Sequence, residues 1–290
     1  MVILGSILAV VCGVSNSAAA VLEKLESVRA TERSGLRLMG ALVRRGWWLL
    51  AMALSVVGWV SEAFSLALAP VPVVTSLRGA GRGTLVLAGH RWLGERFGRL
   101  ELIGVGLLVA GGAVVTVSAA GGSIPHQPLS NVTELALGAG AAVLAAVLSL
   151  SKRGLVAGAA VGVMFVATGV YTKEIGDRFA ALGLAAVPAL AATPGPWLMI
   201  ALSVWSIGKM QGAFRQANAA SVSAANTTVS SNGLIVAVAA LYHEPYPGGL
   251  MLVVMVVGLI VTAAGAVALA VGASDEHRPD LAETDAAPTE

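Results

Sequence analysis

The chain has 290 residues, 57% of them hydrophobic and only 12% charged. Soluble domains carry about 25% charged residues, so the charges here are too few to solvate a globular surface of this size. The net charge of +2 leaves no basic footprint for nucleic acid, and a lone cysteine, Cys12, excludes an intrachain disulfide.

A membrane span needs about 20 mostly apolar residues. Nine segments qualify, at roughly 2–22, 46–68, 70–90, 101–120, 133–150, 155–172, 196–214, 220–241 and 249–272. A tenth stretch, 179–193, is short and carries Pro188; it reads as a re-entrant or interfacial piece, or as a tenth span. Residues 1–22 have no Lys or Arg ahead of the apolar run, and no lipobox precedes Cys12, so this segment reads as a retained helix. Cys12 itself is expected as a small apolar packing residue. Residues 23–45 read as a cytoplasmic loop or surface helix, and 273–290, rich in Asp, Glu, Ala and Pro, as a disordered tail. Trp47, Trp48 and Trp197 lie at helix ends, as interfacial anchors should. Lys24 and Lys173 lie at helix ends too, where lysine snorkels toward the headgroups.

Lys and Arg in short loops set orientation. With nine spans, one side collects the basic residues of 24–45, Arg91, Arg96, Arg99, Lys152, Arg153, Lys209, Arg215 and Arg278, whereas the other holds only Lys173 and Arg178. This bias places the N-terminus outside and the C-terminus in the cytoplasm of a cell-membrane protein.

The sequence matches itself at an offset of 149–150. Gly13, Val14, Ala18, Val21 and Lys24 fall on Gly162, Val163, Ala167, Val170 and Lys173, and Ala63, Phe64 and Ala67 fall on Ala213, Phe214 and Ala217. The chain then divides into a four-helix repeat at 1–120, a connecting helix at 133–150 and a second four-helix repeat at 155–272. An odd connector inverts the second repeat, and inverted repeats place a substrate site near the midplane between them. The expected fold is therefore an all-α polytopic membrane protein of nine, or ten, helices in two inverted repeats. Gly158 and Gly162 form a small-xxx-small pair, read as a helix-packing contact.

Arg78 and Arg82 stand one helical turn apart inside the 70–90 segment. A charge at the bilayer centre costs roughly 2.5–3.5 kcal/mol on insertion scales and persists mainly where it faces a partner or a cavity. Glu62 is the acidic residue well inside the preceding span, and the tight Pro70-Val71-Pro72 connection brings it to a depth like that of Arg78. The plainer reading is a buried ion pair that only holds two helices together. The functional reading counts charges. Two arginines against one glutamate leave a positive charge for a substrate carboxylate or phosphate, gripped by the guanidinium fork. Glu62 is then a counter-charge or a proton carrier. The 220–241 segment is dense in Ser, Thr and Asn. By the repeat offset Thr228 and Asn232 correspond to Arg78 and Arg82, so Asn226, Thr228 and Asn232 are candidates for the opposing wall, and Gln211 for a cytoplasmic vestibule. No HExxH, Walker lysine or grouped nucleophile, histidine and acid marks an enzyme, and no cofactor or metal site is expected.

Ala63 to Ala69, Pro70, Val73-Val74-Thr75, Leu77, Gly94-Glu95-Arg96 and Gly104, with Gln211, Asn218, Ser223 and His243-Glu244 in the second half, resemble the drug/metabolite transporter superfamily of EamA-like proteins. The nine-span layout most resembles its NIPA-type magnesium transporter branch. The resemblance implies a secondary transporter working by alternating access, and Thr75 of the motif joins the candidate substrate-binding set. The chain departs from the branch at Arg78 and Arg82, where that branch has small or apolar residues. Two fixed positive charges suit a magnesium path poorly, because magnesium takes carboxylates and retained waters. The expected function is transport of a small anionic or amphipathic metabolite. The alternatives are a magnesium or other divalent-cation transporter and a non-transporting membrane scaffold. The expected partners are the small-molecule substrate and the lipid bilayer. Small members of the superfamily dimerise, so a homodimer is also open, although a fused duplication can work as one chain.

Overall fold

The computed structural model describes residues 2–29, 40, 42–80, 98–118, 128–151, 154–216, 219–242 and 248–275. Among these, every regular element is helical: α1 (Val2–Arg29), α2 (Gly46–Leu68), α3 (Val71–Ala80), α4 (Arg99–Ser118), α5 (Asn131–Leu148), α6 (Gly154–Leu182), α7 (Ala186–Ala191), α8 (Pro194–Gln216), α9 (Ala219–Tyr242) and α10 (Leu250–Asp275). A 3-10 turn, Gly183–Ala185, joins α6 to α7. Four described stretches are long and apolar enough to cross a membrane: Val2–Glu23, Gly46–Leu68, Asn131–Leu148 and the bent Val156–Ala191. Leu102–Val115 and Leu250–Gly265 are shorter apolar helices. The protein is thus all-helical with several membrane-compatible helices. The expected 70–90 span is described only as far as Ala80, and the expected tail at 273–290 lies almost wholly outside the described residues.

Several expected boundaries move. The 179–193 stretch is no span of its own. It comprises the last turn of α6, the 3-10 turn and the six-residue α7, which rises only about 9 Å. α1 runs on to Arg29, past the expected end at 22, and α6 runs ten residues past 172. Charges at 173–178 read as the end of a span, but the helix carries them into the protein. Lys173 does not snorkel: it is 2% exposed. The side chain of Lys24 lies outside the described residues. Trp47 and Trp197 are exposed as interfacial anchors require, whereas Trp48 turns inward against Leu42.

The two halves pack alike. The first helix of each (α1, α6) lies on the second (α2, α8) and third (α3, α9), the third lies on the fourth (α4, α10), and second and third barely touch. α5 packs on α6 and α8, and the halves meet most extensively where α4 crosses α10. There the backbones approach through glycine: a Cβ on Gly111 would stand 2.8 Å from the Gly258 carbonyl, and one on Gly265 would stand 2.8 Å from that of Gly104. One index rises as the other falls, so the pair is antiparallel. Gly158 and Gly162 behave as expected, pressed on the α9 backbone at Val222 and Asn226.

The core sits where five helices converge. Ala9, Leu66, Val71, Val74, Val170, Leu234, Ile235 and Val238 form one buried cluster drawn from α1, α2, α3, α6 and α9. It lies toward the end of the bundle at which Pro70 connects α2 to α3, called the Pro70 end below. A second cluster, with Ala145, Met164, Tyr171 and Leu202, joins α5, α6 and α8.

Candidate functional site

Helical spacing puts a polar layer directly against the apolar cluster. Glu62 precedes Leu66 by one turn, Arg78 follows Val74 by one turn, and Ser231 precedes Ile235 by one turn. The three polar side chains therefore share the next level down from the Pro70 end. Arg78 Nη1 donates to Glu62 Oε1 and forms an ion pair with it; each side chain is 13% exposed. Arg78 Nη2 reaches Ser231 Oγ at 3.5 Å, the long limit of a hydrogen bond, which links α3 of the first half to α9 of the second. Arg78 Nε is buried with no hydrogen-bond partner.

On the other side of the pair, Cys12 Sγ donates to Glu62 Oε2 at 3.9 Å, and Asn16 Nδ2 donates to Cys12 Sγ at 3.3 Å. The thiol expected as plain packing is thus part of a polar chain running Asn16, Cys12, Glu62, Arg78, Ser231. Gly58 makes room for it, since a Cβ there would stand 2.5 Å from Asn16 Oδ1. Asn16 and Ser231 are the members that sequence reading missed. Both are short polar residues a turn from a recognised position, and serines are common on α9, so nothing in the sequence singled them out.

The remaining candidates separate. Thr75 Oγ1 is turned back on its own helix, donating to the carbonyls of Val71 at 3.0 Å and Pro72 at 3.1 Å, and makes no hydrogen bond to the Arg78 layer. Asn226 is half-buried with its Oδ1 atom buried and unpartnered, while Thr228 and Asn232 are half-buried on the same helix. The residue that meets Arg78 is Ser231, three positions beyond Thr228, its counterpart at the repeat offset. Arg82 and the side chain of Gln211 lie outside the described residues.

A second polar group, unread in the sequence, lies at the Pro70 end. Lys173 pairs with Asp177 at 3.1 Å, donates to the Leu66 carbonyl at 3.4 Å and lies 5.8 Å from the centre of the Tyr242 ring. Arg178 donates through Nε and Nη2 to Glu174 Oε1, at 3.1 and 2.9 Å. Glu174 Oε2 accepts from the Tyr242 hydroxyl at 2.8 Å and from the Leu129 amide at 3.4 Å. Two successive opposite-sign pairs at i,i+4 are the signal that could have marked this run as helix. Among the described residues no group of three or more His, Cys, Asp or Glu is arranged to hold a metal ion. No family model, no curated protein and no solved structure matches this chain.

Proposed function

We propose that this protein is a secondary transporter in which Arg78 binds the anionic group of a small metabolite at the interface of two inverted repeats. The observation that carries the reading is the position of the Glu62–Arg78 pair. It joins the halves through Ser231, one level below a closed apolar cluster. A guanidinium with a buried, unpartnered Nε has hydrogen-bonding capacity left for an oxyanion. Glu62 holds the site neutral when it is empty. It gives way when a carboxylate or phosphate takes its place on the fork, or when it picks up a proton.

The matching pack of α1 to α4 and of α6, α8, α9 and α10 supports the repeat reading. With the N-terminus outside, the Pro70 end faces outward, and the apolar cluster is the closed outer barrier of an alternating-access cycle. The divalent-cation reading is weaker, because the carboxylate of Glu62 is already held by an arginine.

Thermal unfolding of purified protein with small carboxylates, inorganic phosphate and magnesium tests the assignment. A carboxylate or phosphate should raise the midpoint, and the shift should vanish in Arg78→Gln. A shift by magnesium that survives Arg78→Gln would overturn the anion site. So would an anion shift indifferent to that change.

A further inference from the structure

Apart from the Arg78 layer, the charges of the described residues at the Pro70 end do not balance. Lys173 and Arg178 face Asp177, Glu174 and Glu134. Each cation already has its acid: Asp177 sits on Lys173, and Glu174 is gripped twice by Arg178. Glu134 is the acid left over, and it is the most deeply buried of the three, 1% exposed.

Its surroundings are built around the carboxyl group. Oε2 accepts a hydrogen bond of 2.7 Å from the Gly195 amide in the first turn of α8. Gly195 keeps this approach close, since a Cβ there would stand 3.1 Å from Cδ and from both carboxylate oxygens and would press the carboxyl group back by a few tenths of an ångström. The Tyr171 hydroxyl pins the backbone from below, donating to the Glu134 carbonyl at 2.6 Å. Oε1, by contrast, is buried without a hydrogen-bond partner. Arg178 Nη2 forms a long ion pair with it at 4.0 Å, beyond hydrogen-bond distance. The ionisable groups facing Glu134 are Tyr171, Glu174 and Arg178 of α6 and Tyr242 of α9; α8 brings the Gly195 amide.

We infer that Glu134 is a proton-binding site, with the proton carried on Oε1, and that Arg178 is the positioning residue that answers its loss. A buried carboxylate oxygen with no donor is strongly disfavoured, whereas a neutral carboxyl in the same place needs no cation. When the proton leaves Oε1 for solvent, the new negative charge draws Arg178, hydrogen-bonded to Glu174 and only at long range to Glu134, into a close bridge between the two. That bridge ties α5 to α6. The site stands on its own geometry and does not depend on what Arg78 binds.

Infrared difference spectra of purified protein between acid and alkaline pH, with glutamate carbon-13 labelled, test this. The carboxylic-acid C=O band that shifts with the label should contain a component in the wild type that is lost in Glu134→Gln and kept in Glu62→Gln. Should Glu134→Gln fail to fold, Glu134→Asp should replace the labelled band with an unlabelled one. Arg178→Lys, which keeps the charge but loses the fork, should move the pH at which the band disappears. An identical glutamate band with and without Glu134 would overturn the site. Displacement of the band by sodium at constant pH would overturn it too, by making the ligand a metal cation.

Discussion

Arg78 holds Glu62 across the contact between α3 and α2, with both side chains 13% exposed and a single level of apolar side chains separating them from the Pro70 end. A pair so placed is worth less for stability than it seems, because both ions give up water to form it. Breaking it from one side is another matter. Glu62→Gln and Arg78→Gln should each destabilise the protein by about 3 kcal/mol, since each strands a charge. The double replacement should recover much of that loss while still abolishing the anion-dependent shift. A double-mutant cycle on unfolding in detergent measures the coupling. Additive losses would mean that the two side chains do not pair.

The approach of α6 to α2 is tightest at Gly176, where a Cβ would run into the Ala63 carbonyl. Backbone cannot yield as a side-chain tip can. Gly176→Ala should therefore lower stability by about 1–3 kcal/mol, despite the better helix propensity of alanine. Gly140 on α5 meets nothing within 4 Å. Gly140→Ala should be neutral or stabilising by up to about 1 kcal/mol. Thermal midpoints of the two variants, compared with wild type, check the contrast.

Cys12 is the only cysteine in the chain and is fully buried between Asn16 and Glu62. Maleimide should label the resting protein slowly. Glu62→Ala, which removes the carboxylate and opens space, should speed labelling markedly. Mass spectrometry follows the reaction at one residue with no engineering. Fast labelling of the wild type would place the thiol on an open path.

The first turn of α5, which carries Glu134, is capped by Ser130, whose hydroxyl accepts from the Thr133 amide at 3.1 Å. Ser130→Ala should cost about 1 kcal/mol. Hydrogen exchange should quicken first at the amides of this turn, leaving the middle of α5 protected. Uniform loss of protection along α5 would show that the cap does not act locally.

Much of this architecture is written in one dimension. Composition alone points to helices compatible with a membrane, because charges are so few for a fold of this length, and runs of apolar residues mark where helices form. The Glu62–Arg78 pair was also legible, since a proline-bounded turn leaves two opposite charges in adjacent helices few places to go but toward each other. The helix ends were not. Lys173 to Arg178 look like a loop when each charge is judged against water or lipid. They continue α6 because Asp177, Glu174 and the Leu66 carbonyl stand in for solvent. Thr75 donates its hydroxyl to the carbonyls of its own helix, a partnership its place in the motif does not show.

The sequence by itself determined the apolar, membrane-compatible character, the helical content and the Glu62–Arg78 pair, since these follow from hydropathy and short-range spacing. Only the tertiary structure decided which polar atoms are satisfied. Ser231 meets Arg78 over a separation of 153 residues, and the Gly195 amide meets Glu134 over 61. Whether a buried polar group is stabilising or reactive depends on such partners, and no local pattern encodes them.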